Sequence, residues 1–197
     1  MRSNPRHFTL LTTLLATLFA IVVTAAPATA AATTYRWDTA SVAPLNGVPT
    51  LSEGGSDFAL AADLTTIRII GHGTFGDGLA PTGGGTWVIT QPSGATASGT
   101  FTVTRLVAFT PALGSLPPAL DDTIGNSADA RSGLAVLRIS YSDGTSGTLT
   151  ISCHLPVMSS GKLFEGITAT KGFADFWDRV PPVPGVNANR TVFHVIP

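Results

Sequence analysis

The sequence predicts an all-β protein, most simply an antiparallel β-barrel of about eight strands, with a β-sandwich as the alternative. Three observations carry this expectation. Short alternating segments separated by Gly, Pro, Asn and Ser clusters run from Tyr35 to the C-terminus, and no long helical period interrupts them. The composition is 44% hydrophobic but only 12% charged, with 21 Gly and 14 Pro in 197 residues, which suits an all-β extracellular domain better than a helical cytosolic one. The stretch from Gly133 to Leu155, GLAVLRISYSDGTSGTLTISCHL, reads as a long hairpin. Sequential, hairpin-linked strands and a last strand able to close the sheet favour the barrel.

The hairpin's register follows from its pattern. A two-residue Asp143-Gly144 loop would pair Arg138 with Leu149 and mix polar with apolar residues on both faces. A three-residue loop, Ser142-Asp143-Gly144, pairs Leu137 with Leu149, Ala135 with Ile151 and Tyr141 with Thr145. It also sets Gly144 at the left-handed position of a type I turn with a G1 bulge. One face is then apolar, and the other carries Arg138, Ser140, Ser146, Thr148 and Thr150. A slip by one residue would exchange the faces, so the three-residue loop is predicted.

The N-terminus reads as a secretory leader over residues 1–32. Arg2 and Arg6 form a basic start, Phe8 to Val23 an apolar run, and Ala25 to Ala32 a small-residue stretch with Ala-x-Ala cleavage sites. The apolar run is shorter than the roughly 20 residues of a membrane span. Residues 33–197 are then expected to form a single exported β-domain without a later membrane span. That part is mildly acidic, with Lys162 and Lys171 its only lysines, which excludes the basic footprint of a nucleic-acid binder. Cys153 is the only cysteine, so no internal disulfide forms, and its place on the apolar hairpin face predicts a buried, inert thiol.

In chain order, Tyr35 to Asp38 reads as a short first strand. Residues 41–57 read as loop around at most one short strand at Pro49 to Leu51. Leu64 to Ile70 is a strand entering a segment, 71–85, that carries seven glycines, suited to turns, bulges or close backbone approach. Thr86 to Thr90 and Gly99 to Thr110 form a pair around Gln91-Pro92-Ser93-Gly94. Strict alternation sets Phe101, Val103, Arg105, Val107 and Phe109 on one face, with Arg105 snorkelling, paired with Asp121 or Asp122, or lining a cavity. Residues 111–132 form a long loop expected to cover one end of the fold. After the hairpin come a strand at Leu163 to Thr170 and a last strand at Thr191 to Ile196. Between them Phe173, Phe176 and Trp177 recur at i, i+3 and i+4, which predicts one or two aromatic helical turns ended by Pro181 and Pro182.

Chemistry-bearing residues are few. Glu165 is one of two glutamates and lies inside an apolar strand pattern; in a pocket its carboxyl would act as a general acid or base, and otherwise it faces solvent or pairs with Lys171 or Arg190. His154 and Arg138 share the hydroxyl face of the hairpin. They join Glu165 as candidate catalytic residues if that face lines a cavity, and are surface residues if it meets solvent. Phe173, Phe176 and Trp177, with Arg105, are candidate ligand contacts, the aromatic rings as a sugar-stacking platform or as a core plug. His72, His154 and His194 have no diagnostic spacing, so no metal site and no cofactor are predicted. No nucleophile elbow or phosphate loop occurs. Asn189-Arg190-Thr191 is an N-glycosylation sequon.

The runs FEGITATKGFADFWD (Phe164 to Asp178) and NRTVFHV (Asn189 to Val195), extended back through SDGTSGTLTISCHL, resemble the C-terminal part of a group of small secreted proteins of uncharacterised function, over roughly half of this chain. The resemblance implies no activity. More loosely, a barrel of this size looks like the allene oxide cyclase and dirigent-type barrels, whose cavities hold hydrophobic ligands; this is analogy at the level of fold. Three functions follow as expectations: a secreted barrel binding a small apolar or sugar-like ligand, a cofactor-free isomerase, cyclase or hydrolase with a polar cavity, or a cell-surface or matrix protein without a pocket. Convergence or scatter of Glu165, His154 and Arg138 distinguishes the first two.

Overall fold

The computed structural model describes residues 32–158, 161–182 and 188–197. The expected leader, Ala32 apart, and residues 183–185 of the Pro-rich run lie outside them. Thirteen strands follow in chain order among the described residues: β1 (Thr34–Leu45), β2 (Val48–Glu53), β3 (Asp57–Leu60), β4 (Thr66–Gly76), β5 (Gly84–Thr90), β6 (Thr96–Ala112), β7 (Asp121–Asp122), β8 (Ala130–Tyr141), β9 (Ser146–Cys153), β10 (Gly166–Lys171), β11 (Ala174–Phe176), β12 (Asp178–Arg179) and β13 (Arg190–Ile196). The one helical element among them is a three-residue 3-10 turn, Ser127–Asp129. The protein is all-β, and its strands join one large mixed sheet, antiparallel except where β7 lies parallel to β2.

The β8–β9 hairpin has the register that its alternation demands. Leu137 faces Leu149, Ala135 faces Ile151 and Arg138 faces Thr148. Gly144 has φ 87°, and the Tyr141 N–H donates to the Thr145 carbonyl at 2.8 Å. Ala135, Leu137, Ile139, Leu149, Ile151 and Cys153 are all fully buried, whereas Arg138, Ser140 and Ser146 are exposed. Burial of one complete face is what fixes this register.

Around it, β4, β5, β6 and β8 lie side by side. From β8 the pairing runs through β9 and β10 to β11, and from β12 through β3 back to β4. Toward the other ends of β8 and β4, β13 pairs with both β8 and β1, and β1 returns to β4. The side chains facing inward form the core, with Trp37, Phe75, Phe176 and Phe193 its largest fully buried members. Trp37 rests on bare backbone: a Cβ added at Gly73 would lie 2.8 Å from its indole nitrogen.

Three expectations are corrected. Residues 41–57 are mostly strand: β1 continues to Leu45 and turns into β2 at Asn46-Gly47, whose φ values of 51° and 83° are those of a type I′ hairpin. Pro44 sits opposite Pro49. In a two-residue hairpin that pair exchanges no ladder hydrogen bonds, so neither proline blocks the strand.

The alternation of β6 is broken twice, by register shifts between Val103 and Arg105 and between Leu106 and Ala108. Phe101 and Val103 are buried and Phe109 half-buried, but Arg105 and Val107 are turned out to solvent. Each bulge inserts one residue and reverses the phase, which a strict period of two cannot represent.

The aromatic helical turn does not form. Residues 171–174 make a tight turn at Gly172-Phe173, with Lys171 opposite Ala174, and β11 pairs with β10. An isolated turn of helix pays its nucleation cost for few hydrogen bonds, whereas the open edge of β10 supplies partners at once. Phe176 therefore points into the core, while Phe173 and Trp177 are exposed.

Candidate functional site

The chemistry gathers where β9 and β13 separate beneath the long 113–129 connection. Past Cys153 no strand covers the backbone N–H groups of His154 and Thr191, and one carboxylate takes both. Glu165 Oε2 accepts from the His154 N–H at 2.5 Å and Oε1 from the Thr191 N–H at 2.6 Å. Gly166, at φ 111°, makes the turn that aims Glu165 back across the two strands. Asp57 does the same one residue earlier along β13, where its Oδ1 accepts from the Arg190 N–H at 2.8 Å.

Glu165 sits on the wall of a cleft of about 330 Å³ together with His154, Arg190 and Thr191. The remaining wall is apolar. Val42 and Leu51 come from the β1–β2 hairpin, Leu116, Pro117 and Leu120 from the long connection, and Leu155, Pro156, Pro182 and Val192 from around β9 and β13. The connection thus packs over the β1–β2 hairpin and the chain following β9. It is fastened by Asp122, whose Oδ2 lies 2.8 Å from Nε2 of the buried His194 and whose Oδ1 accepts from the N–H groups of Ile124 and Gly125.

Electrostatics set Glu165 apart. Burial pushes its carboxyl up to about 8, against the backbone hydrogen bonds from Thr191 and His154 and the nearby Arg190 charge, all of which favour the ionised form. Asp57 is raised well above the usual carboxylate range, first by burial and then by Glu165. Its Oδ2 is buried without a hydrogen-bond partner. A carboxyl raised in this way can take up or give up a proton near neutral pH, in a cleft that His154 and Arg190 also line.

Of the residues singled out in the sequence, Glu165 and His154 meet in this cleft. Arg138 does not join them; it stands exposed on the outer face, opposite Thr148 on one side and Arg105 on the other. Phe173 and Trp177 lie outside and Phe176 inside, so the three rings share no platform. His72 is exposed beside Asp38 and Glu53, the one potential metal-ligating group among the described residues. Arg36 already occupies that group, with Nη2 2.8 Å from Asp38 and 2.6 Å from Glu53. Cys153 is fully buried, which raises its thiol. Asn189 of the sequon is 1% exposed, and its amide is spent on the Phe58 N–H and the Pro181 carbonyl. The folded chain offers no glycan acceptor there.

Sequence reasoning missed Asp57 and the apolar residues of the long connection. Asp57 opens a strand in which residues 57 and 59 point inward, but its alternation is too short to stand out behind Gly54-Gly55. Compared with known protein families, with curated proteins and with solved structures, the chain finds no match in any of the three.

Proposed function

We propose that this chain is a secreted β-barrel that binds a small, largely apolar molecule in the Glu165 cleft, the molecule's one polar group turned toward Glu165 and His154. The observation that carries this reading is the cleft itself: aliphatic and proline walls around a single convergent set of polar groups, at a volume in the range of small-molecule sites. The barrel reading is supported by one closed circuit of strand pairing, from β4 through β5, β6, β8, β13 and β1 back to β4. A second run, β8 to β11 and β12 to β4, adds to it, its two parts joined along the chain at Trp177.

Titration with a neutral apolar fluorophore such as N-phenyl-1-naphthylamine tests the binding. Saturable enhancement by the wild type, weakened at least about tenfold by the cleft-filling Leu120→Trp, is the expected result. No saturable enhancement, or equal binding by the variant, refutes the reading. Native mass spectrometry of protein purified from its own host then gives the mass of what occupies the cleft.

A catalytic version, a cofactor-free enzyme of isomerase, cyclase or hydrolase type, is favoured by one further observation: a carboxyl raised to about 8, in a cleft that His154 also lines, is suited to proton transfer near neutral pH. In that case Glu165→Gln keeps affinity for the identified ligand and abolishes its conversion. Conversion that survives the substitution excludes Glu165 as the proton donor.

A further inference from the structure

A second feature lies away from the cleft, on the outer face of β6, β8 and β9. Arg105 and Arg138 are paired directly across β6 and β8, so their Cβ atoms are about 5 Å apart. Both are exposed. Neither forms an ion pair or a side-chain hydrogen bond among the described residues.

The pair is not a by-product of a basic composition, since the chain carries 11 Lys and Arg against 12 Asp and Glu. Several other cations are engaged: Arg36 by Asp38 and Glu53, Lys171 by Asp143, Arg131 by the carbonyls of Ala128 and Ala130, and Arg179 over the Phe164 ring. Arg68 is the other described arginine without such a partner, but it is half-buried and stands opposite Phe58 and Val88 rather than a second cation. Like charges directly opposite in a ladder destabilise it. Here the juxtaposition is made by a bulge, because without the register shift after Val103 the side chain of Arg105 would point into the core. Bulges of this kind re-aim side chains at working surfaces.

The surroundings narrow the ligand. Arg138 is flanked on its other side by Thr148, and the next outward pair along β6 and β8 is Thr102 and Ser140. Two guanidinium groups side by side match the oxygens of one or two oxyanions, and the hydroxyl row beside them matches the hydroxyls of a sugar. A nucleic acid would call for a longer basic track than two arginines on a chain of net charge −1.

We propose that the outer face around Arg105 and Arg138 binds an anionic polysaccharide, the two arginines clamping its sulfate or carboxylate groups and Thr102, Ser140 and Thr148 meeting its hydroxyls. Both arginines are solvent-facing, so Arg105→Thr and Arg138→Thr leave the core untouched.

The test measures binding of heparin, which carries sulfate and carboxylate, and of polygalacturonate, which carries carboxylate alone, at low salt, for the wild type, each variant, the double variant and an Arg179→Thr control. Duplex DNA serves as a third polyanion. The expected result is binding of at least one polysaccharide, weakened about tenfold by either arginine substitution and unchanged by the control. Which polymer binds tells sulfate from carboxylate recognition. Binding of neither polysaccharide, equal loss in the Arg179→Thr control, affinities unchanged in the variants, or tighter binding of DNA overturns the proposal. Thermal unfolding without polyanion supplies an independent readout. Removing one of two opposed charges raises the Tm in Arg105→Thr, and a lowered Tm shows that the arginines already stabilise the fold together, which also overturns it.

Discussion

Replacing Glu165 by glutamine separates the two things this carboxyl does, holding strands and holding a proton. In the folded chain its pKa is raised from 4.5 to about 8. The native state binds the proton more tightly than the unfolded chain, so the protonated carboxyl favours folding. That contribution is complete below about pH 4.5 and is lost progressively as the pH climbs through 8. At 1.36 kcal/mol per unit, the wild type loses about 3 kcal/mol by pH 7 and about 5 kcal/mol by pH 9 relative to acid conditions. Asp57, raised in the same direction, adds to the slope.

Glutamine does not titrate, but its NH₂ must face one of the two backbone donors, at His154 or Thr191, that the carboxyl oxygens satisfied. Leaving that N–H without an acceptor costs about 2 kcal/mol at every pH. The two stability curves therefore cross at about pH 6: the wild type is the more stable protein at pH 5 and Glu165→Gln the more stable at pH 9. Urea denaturation across pH 5 to 9 reads this directly, and the change in the wild type is a large share of the roughly 5–15 kcal/mol that holds a domain together. Parallel curves would mean that Glu165 keeps an ordinary pKa, and the protonated-cleft argument would fall with it.

Three further outcomes follow from the same structure. Gly144→Ala and Gly147→Ala differ for distinct reasons. The first puts a side chain at φ 87° in open space and costs about 1 kcal/mol, whereas the second drives a Cβ to 1.9 Å from the Thr170 carbonyl and costs about 3 kcal/mol or more; equal costs in chemical denaturation would contradict the packing of β9 on β10. Lys171→Met removes an ammonium 4.5 Å above the Trp87 ring and 4.9 Å above the Tyr141 ring, lowering stability by about 1 kcal/mol. The same lysine holds the Asp143 carboxyl down at about 2, so this contact is lost only in strong acid, and Asp143 titrating at its ordinary pKa by NMR would argue against the ion pair. Native protein is expected to leave Cys153 unlabelled by a thiol reagent until unfolded; rapid labelling of the native state would contradict its complete burial.

Legibility followed physical range. The β8–β9 hairpin could be read to the residue because its register is over-determined locally: alternation, the Ser-Asp-Gly turn and a fully buried face all demand one pairing. The β1–β2 hairpin was equally local. Its Leu-Asn-Gly-Val signal was obscured by the two prolines, whose harmlessness depends on their facing each other in a pair without ladder hydrogen bonds. The aromatic triplet 173, 176 and 177 fits a helical period as well as a strand with a turn, and only the free edge of β10, made by distant pairing, decides between them.

The sequence by itself determined the all-β class, the central hairpin and the burial of Cys153, since each rests on period, turn chemistry or composition within a few residues. The tertiary structure alone decided the rest. It turned Arg105 outward, because a bulge shows only when two strands are counted against each other. It joined Glu165 to His154, Thr191 and Arg190 and set Asp57 beside them, because unpaired N–H groups at the ends of separating strands need acceptors wherever the chain can bring them. It left Arg138 outside, because the direction of a hydroxyl-rich face depends on which side of the sheet finds a core to cover.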